Sequence, residues 1–200
     1  MSATSPAARE VLLRRGLALE YLTLSWNVAG VVVLAVATVA SGSVALAGFG
    51  VDSLIEIVAS SVVVWELRGE EGSRRERIAL RIIAVAFGLL ALYIAVQATV
   101  TLAGGAHPHR STLGVTWLAV TVVVMWLLAH GKHRTGGALQ NRVLITEARV
   151  TVIDGALAAA VLVGVALNAA LGWWWADPLS SLVILVYGVR EARHAWGESG

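Results

Sequence analysis

Six apolar runs dominate this sequence and leave it little choice of fold. They fall at about residues 19–40, 43–65, 78–102, 112–129, 144–171 and 173–190. A helix needs about 20 apolar residues to cross the hydrocarbon core of a bilayer, and these runs have that length. The chain is 58% hydrophobic and 14% charged over 200 residues, too little polar surface to keep such segments inside a water-soluble domain. The expected fold is all-α, a polytopic membrane protein built as a bundle of six transmembrane helices. Within lipid each helix satisfies its own backbone hydrogen bonds, which an open sheet cannot do.

The breaks between runs carry turn and charge chemistry: "SGS" at 41–43, "ELRGEEGSRRER" at 66–77, "AGGAHPHRS" at 103–111, "HGKHRTGGALQNR" at 130–142 and "LGWWWADP" at 171–178. With both termini on one side, 14 of the 15 Lys and Arg residues fall on that side, and Arg110 alone lies opposite. The positive-inside rule then makes both termini cytoplasmic and puts the Trp173–Trp175 cluster at the outer headgroup level. "MSATSPAAREVLLRRGLALEY" lacks the apolar core and cleavage site of a signal peptide, so the first run is read as a retained helix. This reading takes residues 1–200 as a single transmembrane domain with no soluble C-terminal domain, held in a bacterial cytoplasmic membrane.

Several function classes drop out. There is no cysteine, hence no disulfide, thiolate metal site or thiol redox chemistry. No nucleotide-binding glycine loop, nucleophile elbow or zinc-protease helix motif occurs, so an enzyme is not expected. Neither a bound cofactor nor a nucleic-acid partner is expected; the lipid bilayer is.

Against this background the acidic residues inside the runs stand out. "GFGVDSLIEIVASSVVVWELR" (48–68) places Asp52 about 13 Å below the outer end of its helix, with Glu56 one turn deeper. An ionised carboxylate there costs at least ~2.5–3.5 kcal/mol, so such residues persist with a partner, a proton or water. Ala45, Gly48, Glu56 and Ala59 lie within about 40° of Asp52 around the helix, and Val44, Val51, Ile55, Val58 and Val62 lie opposite. The small, charged stripe is expected to face protein or a water-filled cavity, and the β-branched stripe to face lipid.

The fifth run supplies Glu147, Thr151, Asp154 and Asn168 on one face, with Asp154 about 15 Å from the cytoplasmic start of its helix. Antiparallel helices thus bring Asp52, Glu56 and Asp154 to similar depth. Three carboxylates together demand a cation or bound protons, which points to cation transport. Glu147 is a fourth candidate ligand, with interfacial solvation or a contact to Arg149 or Arg142 as its alternatives. Glu20 and Asn27 share a face of the first run, and Glu20 reads as a helix-end acid near the cytoplasmic mouth. The histidines of "HPH" and "HGKH" read as solvated loop residues, and Asp177 as a cap for the last helix.

The arrangement resembles the cation diffusion facilitator family, six-helix exporters of divalent metals. "SGSVALAGFGVDSLIEIVAS" is similar to that family's second helix with its D-x-x-x-D signature, "TEARVTVIDG" to its fifth helix with H-x-x-x-D, and "WADPLSSLVILVYGVREA" to the opening of its sixth. The resemblance implies metal binding by Asp52, by Glu56 in place of the second aspartate, and by Asp154. The histidine position falls on Val150, so Glu147 or Thr151 would have to complete the set. An oxygen-only site leans toward harder ions than zinc. The resemblance further implies alternating access, exchange of a divalent cation (Zn, Mn, Fe or Co) for protons, and a homodimer formed through membrane helices. The alternative is a non-transporting scaffold or regulatory protein that keeps the fold.

Overall fold

The computed structural model describes residues 6–68, 73–104 and 109–198. Six helices run in order: α1 (Pro6–Ser41), α2 (Val44–Leu67), α3 (Ser73–Gly104), α4 (Thr112–Leu139), α5 (Arg142–Leu171) and α6 (Ala176–Glu198). Among the described residues there is no strand. The first five helices are long and apolar enough to cross a membrane. The chain is therefore a polytopic helical membrane protein.

Short polar residues set the starts of helices. Ser43, Ser111 and Asn141 hold extended backbone and accept hydrogen bonds from the backbone N–H of Leu46, Gly114 and Leu144, satisfying donors that a first turn leaves open. Gly42 and Gly172 take positive φ (67° and 71°) where α1 and α5 end, the left-handed conformation in which glycine has no steric penalty.

Two boundaries differ from expectation. Helix α1 begins at Pro6, well before the apolar run at 19, so its first turns lie outside the apolar stretch. The expected break at 130–142 is mostly helix. Helix α4 continues to Leu139, and only Gln140 (φ 54°) and Asn141 make the turn into α5. Gly136 permits this tight hairpin, because a Cβ there would stand 3.1 Å from the Ile145 backbone nitrogen. Asn141 Nδ2 also donates to both Glu66 oxygens at 3.2 and 3.3 Å, fastening the hairpin to the end of α2.

Helix α5 packs along α4 and reaches α2 and α6; α1 lies against α2 and α4; α3 pairs with α6 and touches α2. The bundle is polar within and greasy without. Val28, Val32, Val36 and Val39 of α1 and Leu89, Leu92, Val96 and Val100 of α3 are exposed. By contrast Glu20, Thr23 and Asn27 of α1, Ser53 and Ser60 of α2, and Thr146 and Thr151 of α5 are buried. Such a distribution suits a hydrocarbon solvent and would be unstable in water.

On α2 the small stripe is buried as expected, with Ala45 and Ala59 each 1% exposed. The outer stripe is rotated from its expected place. Leu54, Val58, Ser61 and Trp65 are exposed, while Ile55 and Val62 pack partly against the core. Neighbours on several sides of α2 leave it only this narrow strip.

Candidate functional site

Helix α2 carries its polar side chains at 52, 56 and 60 and α5 carries its own at 147, 151 and 154, so each presents one rung per turn to the other. All six are buried. The outermost rung is Asp52 against Asp154, whose carboxyls meet across the two helices. Asp52 Oδ2 and both Asp154 oxygens are buried with no hydrogen-bond donor among the described residues. Two acceptor groups cannot hydrogen-bond each other without a proton, and two buried charges in contact repel. The pair therefore calls for a shared proton or a bound cation.

The next rung joins Glu56 to Thr151, whose hydroxyl lies 3.1 Å from Glu56 Oε1. The same hydroxyl also lies 3.1 Å from the Glu147 carbonyl and 3.3 Å from Glu147 Oε2. One hydroxyl has one proton, so Thr151 can serve Glu56 or Glu147 but not both.

The innermost rung is built around Lys132 of α4, which has no exposed surface. Its ammonium donates to Glu147 Oε1 (2.6 Å), Glu147 Oε2 (2.5 Å) and Thr151 Oγ1 (3.1 Å). Glu20 Oε2 of α1 stands 3.1 Å away as a second ion-pair partner. Ser60 of α2 donates to Glu147 Oε1 at 3.0 Å. A continuous polar column thus runs from Asp52 and Asp154 through Glu56 and Thr151 to Lys132, Glu147, Glu20 and Ser60. It contains five carboxyl groups and one basic side chain.

With this geometry on the page, the chain's relatives can be weighed. No family model matches the sequence. Over 138 residues the chain is 30% identical to a Bacillus velezensis protein named "Cadmium, cobalt and zinc/H(+)-K(+) antiporter", a match covering 63% of this chain and 40% of that protein. A Bacillus subtilis protein of the same name is 29% identical over 132 residues, with the same coverage. Both relatives are named as metal antiporters. The match takes in about two fifths of each relative's length. This supports kinship with metal transporters at the level of a distant relative.

The sequence expectations meet the structure unevenly. Asp52, Glu56 and Asp154 lie together on the α2–α5 contact. Glu147 is buried deeper along the same column, and Lys132 takes the place of the expected solvent, Arg149 or Arg142. Val150, at the histidine position, is buried. No group of three His, Asp or Glu side chains among the described residues converges in a metal-binding arrangement. Glu20, read as a helix-end acid, is fully buried. His109 is exposed outside any helix, as read; His130 and His133 are exposed too but lie within helix α4 rather than in a loop, while His107 and the Asp177 side chain lie outside the described part of the structure.

Lys132 is the residue that sequence reasoning missed, because "HGKH" looks like a solvated cytoplasmic loop. A usable signal was present. Leu128, Ala129, Lys132, Thr135 and Gly136 keep a helical spacing through the apparent break, and all five are buried.

Proposed function

We propose that this chain carries divalent cations out across the membrane in exchange for protons, with Asp52, Glu56 and Asp154 as the transport site. The observation that carries the reading is the meeting of Asp52 and Asp154 on antiparallel helices, deprived of donors and adjacent to Glu56. A carboxyl pair of this kind holds a proton or a cation and releases one on taking up the other. Glu147 joins the metal only on leaving Lys132. The names of the two relatives support metal cations and protons as the exchanged species, and the family resemblance supports a six-helix, alternating-access transporter acting as a homodimer. The metal, among Zn, Mn, Fe and Co, is substrate.

Metal flux into proteoliposomes under a proton gradient tests this. Asp52→Ala and Asp154→Ala are each expected to lower flux on the order of 10–100-fold, the scale set by disturbing a metal's ligand environment. Unchanged flux in both variants overturns the proposal.

A second reading is favoured by two specific observations, Val150 at the histidine position and the capture of Glu147 by Lys132. On that reading the chain is a membrane scaffold or regulatory subunit in a transporter fold. Thermal unfolding separates the two. Stabilisation by Mn²⁺ or Zn²⁺ that vanishes in Asp52→Asn supports transport, and indifference to every divalent ion supports the scaffold.

A further inference from the structure

The proposed transport site leaves the innermost rung without a task. There an ammonium group, carried on α4, sits inside a shell contributed by three other helices. Glu147 and Thr151 of α5 provide three oxygens at 2.5–3.1 Å. Glu20 of α1 provides a fourth at 3.1 Å, and Ser60 of α2 braces Glu147 from behind. Both partners and the lysine have no exposed surface.

A structural ion pair requires one carboxylate, and the two contacts with Glu147 already make one. The second acid is the informative feature. Glu20 is fully buried, and the Lys132 ammonium stands 3.1 Å from its Oε2 as its ion-pair partner. Its compensation there comes from the charge of Lys132. The arrangement is that of a cation in an oxygen cage, and an ammonium group matches a large alkali-metal ion in charge and approximately in size. Hard oxygen donors suit such ions.

We propose that Glu20, Ser60, Glu147 and Thr151 form a second cation site, distinct from Asp52, Glu56 and Asp154, whose occupant is the chain's own Lys132. The lysine is a tethered monovalent cation. It spares the protein a dependence on free sodium or potassium at this level, and it keeps Glu147 from the metal. The site itself stands on the geometry of the innermost rung, and only its effect on flux rests on the transport reading.

Removing the ammonium while keeping the volume exposes the site. The full chain in detergent, as wild type and Lys132→Met, is unfolded thermally in choline, sodium or potassium chloride at equal ionic strength. Wild type is expected to melt at one temperature in all three salts. Lys132→Met is expected to melt lower in choline and to recover by several degrees in sodium or potassium, because ions that bind only the folded state stabilise it. The double variant Lys132→Met with Glu147→Gln is expected to lose that salt preference, and Lys132→Met with Asp52→Asn to keep it. The last variant keeps this test independent of the transport site. Lys132→Met that behaves identically in choline, sodium and potassium, whether stable or collapsed, overturns the proposal. So does an alkali preference that survives removal of both Glu20 and Glu147.

Discussion

At the scale of single residues, Thr151 is the hinge of the column. Its oxygen accepts from Lys132, and its one proton is contested between Glu56 above and Glu147 below. Whichever acid it serves, the other must be satisfied differently, so this hydroxyl couples the two ends of the path. Thr151→Val keeps the shape and removes the coupling. A buried polar partner left unsatisfied costs about 1–3 kcal/mol, and the variant is expected to lose stability on that scale in denaturant or thermal unfolding, with Thr151→Ser close to wild type. A Thr151→Val protein as stable as wild type would mean that Glu56 does not depend on this bond. Thr151 was within reach of the sequence, since it lies between Glu147 and Asp154 on one helical face. Its partner Lys132 was not, because burial of a lysine is decided by what surrounds it in three dimensions.

At the scale of helices, glycines set how closely neighbours approach, and two of them make a controlled comparison. A Cβ on Gly164 of α5 would stand 2.5 Å from Ser180 Oγ and 2.8 Å from the backbone oxygen of Ala176, both on α6. Backbone cannot step aside, so α6 would have to move. A Cβ on Gly155 would stand 2.5 Å from the Trp126 ring, which is 60% exposed and can swing outward. Gly164→Ala is therefore expected to cost about 1–3 kcal/mol through overpacking, and Gly155→Ala distinctly less. Thermal unfolding of the two variants side by side checks the order, and equal losses would show that α5 and α6 are not rigidly packed. The existence of the helices was plain from apolar length, but some of their ends were not. Residues 130–139 carry three His or Lys side chains and three glycines, which read locally as a loop. Packing against the start of α5 holds them helical. The lipid strip of α2 went astray for a similar reason: periodicity gives the faces of a helix, and only the neighbours decide which face is covered.

At the scale of the whole molecule, α6 decides the topology, because its crossing sets which face Arg190 and Arg193 occupy. Between Asp177 and Arg190 lie 12 residues without charge, about 18 Å of helix against a hydrocarbon core of about 30 Å. Composition alone therefore ranks only the first five helices as spans. Five crossings would put the two termini on opposite faces, and would move Arg190 and Arg193 away from the other basic residues of the termini-side face. Packing argues for a sixth crossing. Helix α6 lies along α3 and α5, and Gly188 approaches the Phe87 backbone and Ala91 while Gly164 approaches Ala176, so contacts run nearly its full length. The shortfall in length can be met at both ends. Trp173 and Trp175 stack with centroids 5.2 Å apart just before α6, as interface anchors, and Arg190 can extend its side chain toward headgroups. With six crossings, both termini and all basic residues but Arg110 share one face. A reporter that is active only in the cytoplasm, fused after Gly200, is expected to be active, and the same reporter inserted beside Arg110 to be silent. A silent fusion at Gly200 would leave five crossings. Arg190 and Arg193 would then join Arg110 on the face opposite the other 12 basic residues.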